Sequence, residues 1–249
     1  MAQADLLQQP PTAVSRTHRQ RAARWSLRDH LGIVLTAADR WFDAAAVALL
    51  VAVAIVAALT FRDYGLGWDD YTHSEYGALL LRLYDSGFAD RRALSFVNLY
   101  AYGGGFDMFA ALAAKVLPFD LFETRRLCGA LIGIVGLGIT WRIGRRMGGP
   151  LAGLIGLALL ATCPLYYGHM FMNAKDAPFA VVMALMLLGL VRALQEYPAP
   201  RAPTVTIFGL GLGLSMGTRV LGDFAPIYGL AGLALIVALE TKRLGAFAP

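Results

Sequence analysis

Apolar residues in this chain come in long blocks, not in the short alternations of a soluble fold. The run AAAVALLVAVAIVAALTF occupies Ala44 to Phe61 without a single charge. Comparable blocks follow at Leu127–Trp141, Leu151–Phe171, Ala177–Val191, Val205–Leu221 and Pro226–Leu239. A bilayer core of about 30 Å takes about 20 apolar residues in helical form, and fewer where charged ends snorkel. The pattern predicts an all-α polytopic membrane helix bundle of about six transmembrane helices, tilted where blocks are short or carry Gly and Pro. Between the first two blocks the period changes. From Thr72 onward, Tyr76, Leu79, Leu80, Leu83 and Tyr84 fall on one helical stripe, which predicts an amphipathic helix on the membrane surface. Thr72 and Glu75 have capping-box spacing and Gly87 suits the stop. A second surface helix is expected over about 105–116, after Gly103-Gly104-Gly105.

Composition agrees with the blocks. Of 249 residues, 57% are hydrophobic and 16% charged, against about a quarter charged in a soluble domain. An ordinary soluble globule, a disordered tail and a disulfide-stapled domain are excluded. Cys128 and Cys163 sit inside apolar blocks and have neither disulfide-framework nor metal-ligand spacing.

The arginines predict topology. A tail over 1–43 carries Arg16, Arg19, Arg21, Arg24, Arg28 and Arg40 and is expected in the cytoplasm. With six spans, Arg142, Arg145, Arg146, Arg192, Arg201 and the Lys242-Arg243 pair fall on that same side. The first loop, about 62–126, falls on the other side, with nine acidic residues against seven basic ones. The module over 44–249 thus presents its long loop outward from the inner (plasma) membrane. The net charge of +5 then reads as topogenic and lipid-facing. Nucleic acid is not an expected partner, because the tail has no aromatic interleaving beyond Trp25. A largely polar stretch of 43 residues precedes the first block, too long for the start of a cleaved signal.

Three outward segments hold the chemically capable side chains. GWDDYTHSEY carries Asp69, Asp70 and His73; YYGHMFMNAKDAP carries His169, Asn173, Lys175 and Asp176; TRVLGDFAP carries Arg219 and Asp223. Ionisable groups near membrane depth are expensive and mark function. Each also has a structural reading. Asp69 and Asp70 could cap a helix, although one cap uses one carboxylate. Asp107 reads as a complement to a helix dipole. Lys175-Asp176 could mark a water boundary ahead of Pro178, and His169 could be an interfacial histidine. Arg219 interrupts an apolar helix end and wants an anionic partner. GLGLGLSMG lies within a span, with no preceding strand, so close helix packing explains it better than a nucleotide loop.

Taken together, these segments resemble the N-terminal part of GT-C superfamily membrane glycosyltransferases, in the protein O-mannosyltransferase and aminoarabinose-transferase-like group. The resemblance rests on Asp69-Asp70 opening the first outer loop, where the family has Asp-Glu, and on the surface helix behind it. It continues through FETRRLCGALIGIVGLGITWRIGRRMGGPLAGLIGLALLATCPLYYGH and on to NAKDAPFAVVMALMLLGLVRAL, with Asp176 and Pro178 in the family's Asp-x-Pro register. The family's Glu-Lys-Pro-Pro element is replaced by NLYAYGGGFDMF, and the six expected spans read as a fragment or a minimal variant.

The resemblance implies an inverting glycosyltransferase that moves a sugar from a polyprenyl-phosphate donor to an acceptor at the outer membrane face. It assigns Asp69 as general base with Asp70 in reserve. A carboxylate that takes a hydroxyl proton contributes about 10²–10⁴ in rate. The departing lipid phosphate needs fixed donors, for which Lys175, His169, Arg219 and Arg125-Arg126 are the candidates. Asp176 holds Lys175 or contacts a substrate. A divalent cation between the Asp pair and the phosphate is an option, although no protein metal site is expected. The rival readings are a small-molecule transporter module, whose ionisable groups belong near the midplane, and an inactive fragment or scaffold.

Overall fold

A computed structural model describes residues 37–245. The basic tail as far as Thr36 and the side chains of Lys242-Arg243 lie outside the described residues. Eight α-helices follow in order: α1 (Ala37–Thr60), α2 (Asp70–Asp85), α3 (Gly105–Ala113), α4 (Leu121–Ala161), α5 (Pro164–Met172), α6 (Asp176–Glu196), α7 (Ala202–Thr218) and α8 (Ala225–Gly245). Short 3-10 turns at Arg92–Ser95, Leu99–Ala101 and Val220–Phe224 connect them. There is no strand among the described residues, and the all-helical expectation holds.

Among the described residues, four helical stretches are long and apolar enough to cross a bilayer: Asp39–Thr60, Leu121–Ala161, Asp176–Glu196 and Val220–Ala238. The difference from six has two causes. α7 is apolar but has only 17 residues. The 41 residues of α4 would measure about 60 Å as one rod, twice the bilayer core, and they do not form one. At Gly149 the backbone takes φ 85° and ψ −179°, and Pro150 follows. That φ favours glycine, and the proline ring cannot continue the preceding turn, so the chain reverses. Leu137 and Leu157 meet in one cluster with Ala46 of α1, flanked by Trp141 and Leu154. Further along, Tyr166 of α5 donates its hydroxyl to the Gly133 carbonyl at 2.7 Å. The expected second and third spans are thus the two arms of a hairpin, the second continued by α5. Gly149 makes the bend and does not serve as half of a packing pair with Gly153.

The glycine-rich stretch of α7 packs against α6, as expected for close helix approach. A methyl group on Gly211 would run into the Met186 backbone.

The outer loop departs from its reading in three details. α2 begins at Asp70, with Asp69 at the cap position, so Thr72 lies inside the helix and cannot cap it. α3 stops at Ala113. The apolar stripe of α2 is covered by protein: Tyr76, Leu79 and Leu83 pack on Ala93 and Leu99, while Tyr84 is exposed. The loop therefore carries a small core of its own, which fixes the α2 N-terminus in space.

Candidate active site

The segments that carry Asp69, Lys175 and Arg219 lie far apart in sequence, and the fold brings them to one end of the bundle. The N-terminus of α2, the first turn of α3, the start of α4, the α5–α6 turn and the end of α7 meet there. The Gly103–Gly105 run lies against the Gly217 backbone at the end of α7, which ties the loop to the turn bearing Arg219.

The acidic pair splits in two directions. Asp69 makes no side-chain cap bond. Its side chain is 54% exposed and accepts from Lys175 Nζ at 3.4 Å, across 106 positions of sequence. Lys175 Nζ also lies 5.4 Å from the centre of the Tyr102 ring. Asp70 is buried and accepts from the Gly67 backbone N–H at 2.6 Å. Burial pushes its carboxyl above the usual carboxylate range, against the opposing pull of the Gly67 N–H and of Arg125 and Arg126.

Behind Asp70 lies a fully enclosed network. Asp107 Oδ2 is 2.7 Å from His73 Nδ1, and Asp107 Oδ1 accepts from Arg125 Nη2 at 2.8 Å. All three side chains are at most 5% exposed. The bond to Asp107 places a proton on His73 Nδ1, leaving Nε2 buried without a partner. Arg125 keeps both Nε and Nη1 unpartnered. Asp107 stands in the first turn of α3 as the dipole reading expects, but its carboxylate serves this network. It is the functional candidate that the sequence did not bring forward. The available signal was a single acid in the otherwise apolar helix GFDMFAALA.

The third cluster caps α6. Asn173 Oδ1 accepts from the backbone N–H groups of Lys175 (3.0 Å) and Asp176 (2.7 Å), serving donors that a helix start leaves free. Its amide nitrogen lies 3.2 Å from His169 Nδ1 and 3.3 Å from Asp176 Oδ2. Arg219 pairs with Asp176, which gives that guanidinium the anionic partner the sequence called for. Asp176 does not hold Lys175, whose ion-pair partner is Asp69. Arg126 turns away from the others and donates to the Tyr64 carbonyl at 2.7 Å.

Asp70, Phe106, Arg125, Phe171, Asn173 and Ala174 are among the residues lining a narrow cleft between these clusters, with room for about one water. No three His, Cys, Asp or Glu side chains converge as metal ligands among the described residues. Asp69 and Asp70 point to different partners, so the pair is not arranged as a bridging ligand set.

Comparison with curated proteins returns no match, and comparison with solved structures returns none either. One family model matches residues 105–245, described as dolichyl-phosphate-mannose-protein mannosyltransferase. That stretch takes in Asp107, Arg125, the α5–α6 turn and Arg219, and starts after the acidic pair. It covers more than half of the chain, and a bundle with several long apolar helices suits a membrane glycosyltransferase. The chain belongs to the dolichyl-phosphate-mannose-protein mannosyltransferase family.

Proposed function

We propose that this chain transfers a sugar from a polyprenyl-phosphate donor to an acceptor hydroxyl with inversion, using Asp69 as general base. The observation that carries the reading is the Asp69–Lys175 pair, a half-exposed carboxylate and an ammonium side by side although 106 positions apart in sequence. The acceptor hydroxyl oxygen attacks the anomeric carbon on the face opposite the phosphate. A new C–O bond forms as the bond from the anomeric carbon to the phosphate oxygen breaks. The hydroxyl proton passes to the Asp69 carboxylate, and the bonding electrons leave with the polyprenyl phosphate. Lys175 and Arg219 are the cations placed to receive the charge that develops there. Asp69 suits the base role better than Asp70, because Asp70 is buried and already accepts a backbone N–H. His169 and Asn173 support the turn that presents Lys175. Arginine topology supports a reaction at the outer face of the inner membrane, with the N-terminus in the cytoplasm.

The test is release of bare polyprenyl phosphate from radiolabelled dolichyl-phosphate mannose by purified chain in mild detergent, with a peptide or lipid hydroxyl supplied. Asp69→Asn should slow release about 10²–10⁴-fold at unchanged melting temperature. A folded Asp69→Asn variant with wild-type turnover would remove the base.

A further inference from the structure

We infer that α3 lies along the lipid–water boundary, with an apolar face set into the phospholipid leaflet at the Asp176 end of the bundle. Phe109 and Leu112 form that face, and Val116 continues it in the turn that follows. The contact is independent of which residue acts as base and of what the donor carries.

The two faces of α3 meet opposite surroundings. Phe106, Asp107 and Ala110 are buried in the protein. Phe109, Leu112 and Val116 recur at i, i+3 and i+7 and are 43%, 54% and 79% exposed. An apolar stripe that the fold leaves open marks a protein or membrane contact, and its position selects the membrane. α3 is pinned at both ends to the ends of apolar helices. At its start, a methyl group on Gly103 or Gly105 would meet the Gly217 carbonyl oxygen in the last turn of α7. Beyond its other end, Phe119 packs edge-on against Phe61, one position past α1, with ring centres 5.4 Å apart. Three residues separate Val116 from Phe119, a reach of at most about 10 Å. α3 thus crosses the bundle end at the depth where these helices stop. Its nine residues measure about 14 Å and cannot cross a core of about 30 Å. A lipid-facing stripe on so short a helix requires it to lie in the boundary layer. The surroundings agree. An exposed stripe on α1, Val51, Ile55 and Leu59, leads up to the Phe61–Phe119 pair. The Arg62 guanidinium stands 5.3 and 5.1 Å from those two ring centres on a half-exposed side chain, an apolar stem with its charge held towards water. The stripe that the sequence assigned to the membrane, on α2, is covered by protein instead. The lipid contact passes to α3, whose opposite face carries the carboxylate that links His73 and Arg125.

The experiment measures depth. Phe109→Cys, Leu112→Cys and Val116→Cys are each made in the full chain with Cys128→Ala and Cys163→Ala, spin-labelled, and reconstituted into vesicles of phosphatidylethanolamine and phosphatidylglycerol. Val51→Cys, on the exposed side of α1, is the reference within a span. Saturation of each label in the presence of oxygen or a nickel chelate gives its depth, calibrated with phospholipids labelled at the headgroup and along the acyl chain. All three labels should favour oxygen, at about 5–10 Å inside the headgroup layer and shallower than Val51. Labels that meet the nickel chelate as freely as the headgroup standard place the stripe in water and overturn the contact. Labels closed to both reagents show a protein cover and overturn it equally. Leu112→Trp in the chain with its native cysteines gives a second reading that needs no cysteine replacement. Its added fluorescence should be quenched by phospholipid brominated near the headgroup. Quenching by aqueous acrylamide alone, or by neither agent, would overturn the contact.

Discussion

The two ends of the bundle both carry charge, and they treat it in opposite ways. α6 alone separates them, with Asp176 at one end and Glu196 at the other, about 31 Å apart for 21 residues. At the Glu196 end the charges form local pairs. Arg145 grips Asp43 through two bonds of 2.7 Å, Arg201 reaches Glu196 at 2.7 Å, and Arg146 and Gln195 exchange bonds of 3.0 and 3.1 Å. The Arg145–Asp43 side chains are 28–29% exposed. At the Asp176 end, Asp107, His73 and Arg125 are at most 5% exposed and leave nitrogens without a protein partner among the described residues. Pairing in place holds helices together. Burying a charge is expensive unless it is paired and its donors are met. The contrast is between partly solvated pairs at one end and a buried network at the other.

The strongest way to break this contrast is to remove one carboxylate from each end. Asp107→Ala strands a buried guanidinium and should destabilise the protein by about 3–5 kcal/mol. Asp43→Ala should cost about 1 kcal/mol, since its pair is partly solvated. Thermal unfolding in one detergent compares the two, and equal losses would abolish the distinction. The next effect is on binding. Lys175→Ala or Arg219→Ala should weaken capture of bare dolichyl phosphate about tenfold, while Arg146→Ala should leave it unchanged. Loss in all three variants would mean the phosphate is read by overall charge and not by Lys175 and Arg219.

A finer test uses pH. Burial raises the Asp70 carboxyl, so the folded chain holds that proton more tightly than the unfolded chain does. The stability this contributes is present below the ordinary carboxylate value of about 3.9. It is lost as pH rises through the raised folded value. Asp70→Asn has no proton to lose there, so its melting temperature relative to wild type should climb from about pH 4 to pH 7. A flat difference would place Asp70 in contact with water. The smallest expected effect is Arg201→Gln, whose side chain is 68% exposed. It should shift stability by at most about 1 kcal/mol.

Much of this was readable from the residues, and the misses share a cause. Helical class and the apolar blocks follow from one-dimensional pattern, because a helix satisfies its own backbone within a segment. Asp69, Lys175, Asp176 and Arg219 stood out because a charge at an apolar block's edge is visible without knowing its neighbours. Asp107 did not stand out. A lone acid in the first helical turn has a sufficient local explanation in the dipole, and its true partners lie 34 and 18 positions away. The capping-box assignment to Thr72 failed for a related reason. Local spacing was satisfied, but the helix start was set by the turn from Gly67 to Asp70 and by the covered core beneath it.

The sequence by itself determined that the chain is helical, membrane-embedded and chemically loaded in three segments, since composition, period and charge position act residue by residue. Only the tertiary structure decided which charges share a space. It sent Asp69 to Lys175 and Asp176 to Arg219, buried Asp70, and made Asp107 the link between His73 and Arg125. It also turned a 41-residue apolar helix into a hairpin at Gly149. The physical reason is that pairing and burial depend on distances across the fold, which are set by how apolar helices pack and not by the order of residues along the chain.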